Sequence, residues 1–399
     1  MKALKVQSEV DDTPGPRLYA VPNPAKRRRV LPDRVGYALA AGVIGLGLFA
    51  SVTPSPLYRA YSVLWHFSTL TLTLIYATYA FGVLASLLLF GAVSDDVGRR
   101  PVLLGALGAL IAATVLFMLA DSSAWLFVAR GIQGLATGAA LSAASATLLD
   151  LHPRRDPAGV GLTNGTAAAA GIGLGALVSS SLVRIGWEPR VLPYAVLLVL
   201  IAVAFAGALW MPEPVSDRSR FRLTAQRPRV PAAVRRPFVL AGLAVLSSWS
   251  IGALFFSLGP QLALHLFNST NVVVSTIGIV SLAAAAARTI SPIPAARAIE
   301  PALVAIQAAV RALVVAIPPE HRATVMAAFY VAAYASLSVP AVLAGVVVTH
   351  ISLQSTFEIF GSVVAAIALV VAFEAWRTRP TPDGTLDPGT RPRARLVTS

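Results

Sequence analysis

The segment GAVSDDVGRRPVL, residues 91–103, sets two carboxylates, Asp95 and Asp96, each four residues ahead of a guanidinium, Arg99 and Arg100. That spacing suits ion pairs on a helical turn. Gly91 has no side chain, so a facing helix can come close. Gly98 permits a backbone turn at positive φ. Arg99 and Arg100 suit an anionic membrane surface, and an ordinary basic turn would need nothing more. A second charged position, Arg130, lies in the apolar run ARGIQGLATGAALSAA with Gln133 and Gly134. An arginine at the centre of a span costs about 2.5–3.5 kcal/mol on insertion scales. Arg130 therefore either has a polar interior role or snorkels outward past Trp125. Gly134 and Gly138 form a GxxxG pair suited to close helix packing.

The other candidates are polar or aromatic residues within apolar runs: Tyr76, Tyr79, Asn164, Trp249, Phe255, Phe256, Gln261, Phe329, Tyr330 and Tyr334. Singly, such residues pack or anchor at interfaces. As a set they describe an amphipathic cavity for organic molecules more than for bare ions. Covalent and metal chemistry find no footing. There is no cysteine, and no intramembrane cluster of His, Asp or Glu that would hold a metal or form a nucleophile–base pair. Lysine occurs only at Lys2, Lys5 and Lys26, so a Walker-type phosphate loop is excluded. No enzyme activity, metal or cofactor is expected. A proton gradient remains a possible driving partner, although the first span has no acid, Glu358 and Glu374 fall near the ends of the last span, and His265 and His350 fall near outer ends.

The elements that must position these residues follow from composition. Hydrophobic types make up 56% of 399 residues and charged types 13%, about half the charged fraction of a soluble domain. The apolar residues form blocks close to the 20 or so needed for a membrane helix, without the short alternation of barrel strands. The expectation is an all-α, multi-pass membrane protein with spans near 36–57, 68–94, 101–120, 124–149, 159–183, 191–210, 238–259, 272–290, 323–349 and 355–376. A basic tail (1–35) precedes the first bundle (36–210). A basic linker (211–237) with seven arginines leads to a second bundle (238–376), and a Pro- and Arg-rich tail (377–399) follows. The first apolar block starts near Gly36, too late for a cleaved signal.

With the N-terminus inside, 24 of the 32 Lys and Arg residues fall on the inner side. The positive-inside rule then places both termini in the cytoplasm of a cell membrane. The net charge of +14 sits between apolar blocks, where it serves topology and not nucleic acid. The expected partners are a lipid bilayer and a small-molecule substrate, with a monomer as the working unit.

Gly91, Asp95, Gly98, Arg99 and Arg100 resemble the signature loop between the second and third helices of the major facilitator superfamily; Asp96 stands where Arg is frequent. Arg130, Gln133 and Gly134 resemble its R-x-x-Q-G pattern. The fifth-span segment GIGLGA, residues 171–176, departs from the family's antiporter pattern at Ile172 and Ala176. The resemblance implies two pseudo-symmetric six-helix bundles working by alternating access. It also implies that the 91–100 cluster is a conformational latch between halves in the outward-facing state. Efflux of drug-like solutes is the leading expectation. Sugar or metabolite uptake is the first alternative, and a degenerate, non-transporting copy the second.

The second half is expected to be incomplete, shortened around 284–317. Residues 291–317 number 27, whereas two crossings and a turn need roughly 40. An even number of crossings there keeps the last tail inside. Glu320→Cys should accordingly resist a membrane-impermeant maleimide in intact cells and react once they are opened. Labelling from outside would invert the final helix pair.

Overall fold

The computed structural model describes residues 30–90, 93–215, 229–269, 271–281, 313, 317 and 322–377. Nine helices among the described residues are long and apolar enough to cross a hydrocarbon core. Helix is the expected solution, because lipid offers no water to backbone N–H and C=O groups. The described elements contain no strand.

The first half comprises α1 (Asp33–Val52), α2 (Tyr58–Trp65), α3 (Thr69–Phe90), a one-turn α4 (Val93–Asp96), α5 (Arg99–Met118), α6 (Ser123–Leu151), α7 (Pro157–Ile185) and α8 (Leu192–Leu209). The second comprises α9 (Arg235–Ser257), α10 (Gly259–Leu266), α11 (Arg322–Val347) and α12 (Leu353–Arg377). The expected span 272–290 is entered by a 3-10 turn, Val274–Thr276, and its residues from 282 onward lie outside the described residues. So does most of 284–317, where the shortening was expected, apart from the buried Leu313 and Ile317.

Within the first half α6 is the central post, packed by α1, α3 and α5; α7 lies along α1 and α8 along α5. The core between them is Ile44, Leu103, Leu107, Leu110, Leu148 and Leu197 interleaved with alanines. Small residues let backbones meet. A Cβ on Gly134 would run into the Tyr79 carbonyl of α3, and a Cβ on Gly171 into the Gly45 carbonyl of α1. In the second half α9 packs on both α11 and α12.

Both halves begin alike. Their first long helix, α1 or α9, stops at a proline-containing break and resumes as an eight-residue helix, α2 or α10. In the first half the break is Thr53-Pro54 followed by a 3-10 turn over Ser55–Leu57; in the second it is Leu258, with Pro260 on the first turn of α10. This is the structural trace of an internal repeat.

The halves meet along α3 and α11. Tyr76 and Ala80 of α3 pack with Trp249, Ala253 and Phe256 of α9 and with Tyr334, Leu337 and Ala341 of α11. Val52, Ile172 and Ala176 pack with Phe256, Ile279 and Val280. The Ser180 and Thr276 hydroxyls lie 3.3 Å apart, and Ser55 Oγ donates to the Phe256 carbonyl at 3.4 Å. A Cβ on Gly345 of α11 would strike Thr73 of α3. These junctions gather toward the end of the bundle that carries Thr53 and away from the end that carries Asp95.

Gly171→Val should push α1 and α7 apart. Overpacking of this kind costs about 1–3 kcal/mol. The expected outcome is a lower unfolding temperature of the purified protein, while Gly105→Val, where an added Cβ meets nothing within 4 Å, should leave it unchanged.

Candidate functional site

The deepest charged group is Arg130. Its side chain is fully buried on α6, with no solvent exposure, so it does not snorkel. No carboxylate pairs with it among the described residues. Neutral groups hold it: Nε donates to Tyr58 Oη at 2.7 Å, Nη2 to the same oxygen, and Nη1 to both the Ser51 carbonyl at 2.8 Å and Gln133 Oε1 at 2.6 Å. The Tyr58, Tyr79 and Phe117 rings stand 5.4–5.8 Å from its guanidinium carbon, within the range of cation–π attraction.

The sequence builds this pocket through Pro54. An α-helix bonds each N–H to the carbonyl four residues earlier, and proline has none. Ala50 O thus loses its partner, and Gln133 Nε2 takes the place at 2.9 Å. The Ser51 carbonyl, freed as α1 ends, serves Arg130, and Thr53 O accepts from Ser179 Oγ of α7 at 2.6 Å. The same chain break turns Tyr58 inward at the start of α2. Pro54 thus frees the Ala50 carbonyl for Gln133, which in turn holds the buried cation.

The 91–100 cluster sits at the opposite end. Gly91 lies outside the described residues. Gly98 has φ +111°, the positive value that its type allows. Arg99 pairs with Asp95 at 2.5 Å, with Asp150 at the end of α6 at 2.9 Å, and donates to Ser94 Oγ at 2.8 Å. Glu213, just after α8, accepts the backbone N–H groups of Arg99 and Arg100, each at 3.0 Å. Its carboxylate thereby caps the positive N-terminus of α5. Arg100 also donates to the Leu209 carbonyl. Each of these bonds runs within the first half. Asp150 and Glu213 were not among the sequence candidates; an acid at a helix end facing an Arg-Arg pair was the available signal.

The aromatic candidates separate. Trp249 and Tyr334 meet edge to face at 5.3 Å and pack with Tyr76 and Phe256 in the seam between halves. Tyr79, one turn from Tyr76, faces Arg130. Phe255 turns away to Phe357 of α12, with ring centroids 6.0 Å apart. Phe329 packs on α9 through Ala241 and Val245, and Tyr330 beside it is exposed. Asn164 bonds Ser145 Oγ at 3.1 Å, tying α7 to α6. Gln261 lies on α10, beyond the break, and lines a cavity near the bundle end.

Proline also shapes the seam. Pro340 lies inside α11, and the Ser336 carbonyl four residues before it accepts from Ser250 Oγ of α9 at 3.2 Å. Pro260 stands four residues after Phe256, whose carbonyl accepts Ser55 Oγ from the other half.

The family model described as Major Facilitator Superfamily matches residues 37–306. Multidrug resistance protein D of Escherichia coli K12 is 36% identical over 148 residues, 35% of each chain. A chloramphenicol resistance protein of Pseudomonas aeruginosa is 35% identical over 148 residues, 36% of this chain and 34% of its own. Multidrug resistance protein MdtL of Escherichia coli O81 is 31% identical over 163 residues, 41% of this chain and 38% of its own. The matched stretch thus spans little more than a third of each relative. Among solved structures, a POT family transporter in complex with 5-aminolevulinic acid superposes with a TM-score of 0.67 at 12% identity, covering 86% of this chain and 96% of that one. The human organic anion transporter MFSD10 gives 0.58 at 15%, covering 86% and 100%. These two likenesses concern the fold.

Tyr58→Phe removes the acceptor of two guanidinium N–H groups and keeps the ring. A hydrogen bond to a charged group contributes about 1.5–3 kcal/mol. The variant should lose about that much stability in chemical unfolding. Tyr61→Phe, whose hydroxyl meets only Tyr194 Oη at 3.4 Å, should lose under about 1 kcal/mol.

Proposed function

Because this chain belongs to the Major Facilitator Superfamily, we propose that it carries small organic solutes across a cell membrane by alternating access, and that it exports amphipathic, drug-like compounds. The observation that carries the reading is the seam between halves. Two helical units with a shared beginning pack against each other at one end through Tyr76, Trp249, Phe256 and Tyr334. Such a contact can close one mouth of a central path while the other stays open. The names of the curated relatives, two multidrug resistance proteins and one chloramphenicol resistance protein, point toward export.

The positive-inside rule supports both termini in the cytoplasm, with 1–35, 211–237 and 377–399 on that side. The Thr53 end is then the outer end, and the seam closes the path to the outside. The Asp95–Arg99–Asp150 cluster then lies at the cytoplasmic mouth, bonded within its own half. In this reading it engages the second half when the cytoplasmic mouth shuts.

Charge narrows the substrate. Among the described spans, Arg130 is the one charged side chain deep in the bundle; the acids Asp95, Asp150 and Glu374 stand at helix ends and the exposed Glu358 on the first turns of α12. An uncompensated cation in a low-dielectric interior disfavours a second cation nearby. Neutral and anionic amphipaths fit this path better than lipophilic cations.

The test is export from cells stripped of their own exporters. Expression should lower accumulation of chloramphenicol, a neutral solute, and leave a lipophilic cation of similar size unchanged. Asp95→Asn should reduce net export about tenfold at equal protein abundance. Full export by that variant would remove the latch role, and no export by the parent would remove the transport reading.

A further inference from the structure

A second site stands on the two short helices that the repeat places together. A cavity of about 400 Å³ is lined by Arg59 of α2, by Gln261, Leu264 and His265 of α10, and by Asn268 and Ser269 just beyond it. That volume lies in the range of small-ligand pockets. Its walls come from both halves, since α2 and α10 are the corresponding extensions of α1 and α9.

The lining is rich in donors. The Arg59 guanidinium has no carboxylate partner among the described residues, and no acid lines the cavity. Arg59 offers five N–H groups, the Gln261 and Asn268 amides two each, and the His265 ring at least one. Among the described residues, none of these four side chains carries a hydrogen bond. Three of the carbonyls at the end of α10, which would repel an anion, are engaged by the turn that follows. Phe267 N bonds Ala263 O, Asn268 N bonds His265 O and Ser269 N bonds Leu264 O, with Asn268 at φ +43° completing the turn. The remaining face of the cavity is cationic and hydrogen-bonding, with Leu264 as its apolar floor.

We infer that this cavity binds an oxyanion, a phosphate or carboxylate group, which bridges Arg59 of the first half to His265 and Gln261 of the second. Guanidinium and oxyanion meet in a paired geometry that an ammonium does not offer. A ligand held by both halves binds only while α2 and α10 lie together. It therefore favours the conformation in which this end is shut, by its differential affinity for that state. The site is separate from the seam and from Arg130, and the inference does not depend on which solute crosses. The oxyanion is either a free solute or the phosphate of a lipid headgroup, and the experiment tells these apart.

Purified full-length protein in lipid-free detergent is titrated with inorganic phosphate against chloride at constant ionic strength, with unfolding temperature as the readout. A parallel set is measured in nanodiscs of phosphatidylglycerol and of phosphatidylcholine. Phosphate should raise the unfolding temperature of the parent, with an apparent affinity at least tenfold weaker in Arg59→Ala and in His265→Ala. Arg184→Ala, an exposed arginine outside the cavity, should match the parent. If phosphatidylglycerol stabilises the parent and free phosphate does not, and the stabilisation again needs Arg59, the oxyanion is a headgroup. No stabilisation by either probe, or equal stabilisation of the Arg59→Ala protein, overturns the site.

Discussion

A backbone carbonyl that loses its N–H inside a membrane must find another donor, because lipid supplies none. Three prolines impose this demand, each on the residue four places earlier. Pro54 frees Ala50 O, which Gln133 of α6 takes. Pro340 frees Ser336 O, which Ser250 of α9 takes. Pro260 frees Phe256 O, which Ser55 takes from the other half. In every case the replacement donor is a side chain on a neighbouring helix. The break in one helix thus becomes the polar contact that fixes its position against the next. Apolar packing cannot do this alone, since lipid tails are as apolar as leucine and give little drive for one helix arrangement over another.

Arg130 rests on the same device. A buried guanidinium usually asks for a carboxylate, and a buried pair is easily offset by its desolvation. Here one backbone carbonyl, an amide and a phenol hold it, together with three aromatic faces, and every member of the set belongs to the first half. On the proposed alternating-access reading, the charge would stay with one half while the halves change their contact. The Glu213 cap on α5 has a similar effect at the other end, since it fastens the start of the linker to the turn that carries Arg99. The surfaces between halves, where Tyr76, Trp249, Phe256 and Tyr334 touch, carry no buried ion pair among the described residues.

The first-half spans and the basic turns were legible because hydropathy and charge are summed over many residues. All six first-half spans fall where composition puts them, although α1 runs on through its break to Trp65. The fate of Arg130 was not legible. Its burial depends on carbonyls of α1, about 80 positions away, and a lone residue near Trp125 fits snorkelling equally well. Proline spacing was readable but not recognised: VTPSPLYRAY and SLGPQLALHL both place a proline at a helix break ahead of an eight-residue helix. Phe255 and Phe256 are adjacent in the chain, yet one faces α12 and the other the seam. Only helix rotation separates them, and an apolar run with little amphipathic bias does not encode rotation.

The seam has an electrical meaning as well. A membrane that stores a voltage tolerates no continuous water path, and any protein with a central passage threatens to short it. Val52, Ala176, Ile279, Phe256 and Tyr76 form an apolar contact between the halves. In the proposed path, a hydrated ion at this contact would shed its water and meet no carboxylate among the described residues, and Arg130 would disfavour a cation nearby. On the transport function proposed above, the aromatic junction that joins the two halves would also act as an insulator, letting organic molecules cross without discharging the membrane.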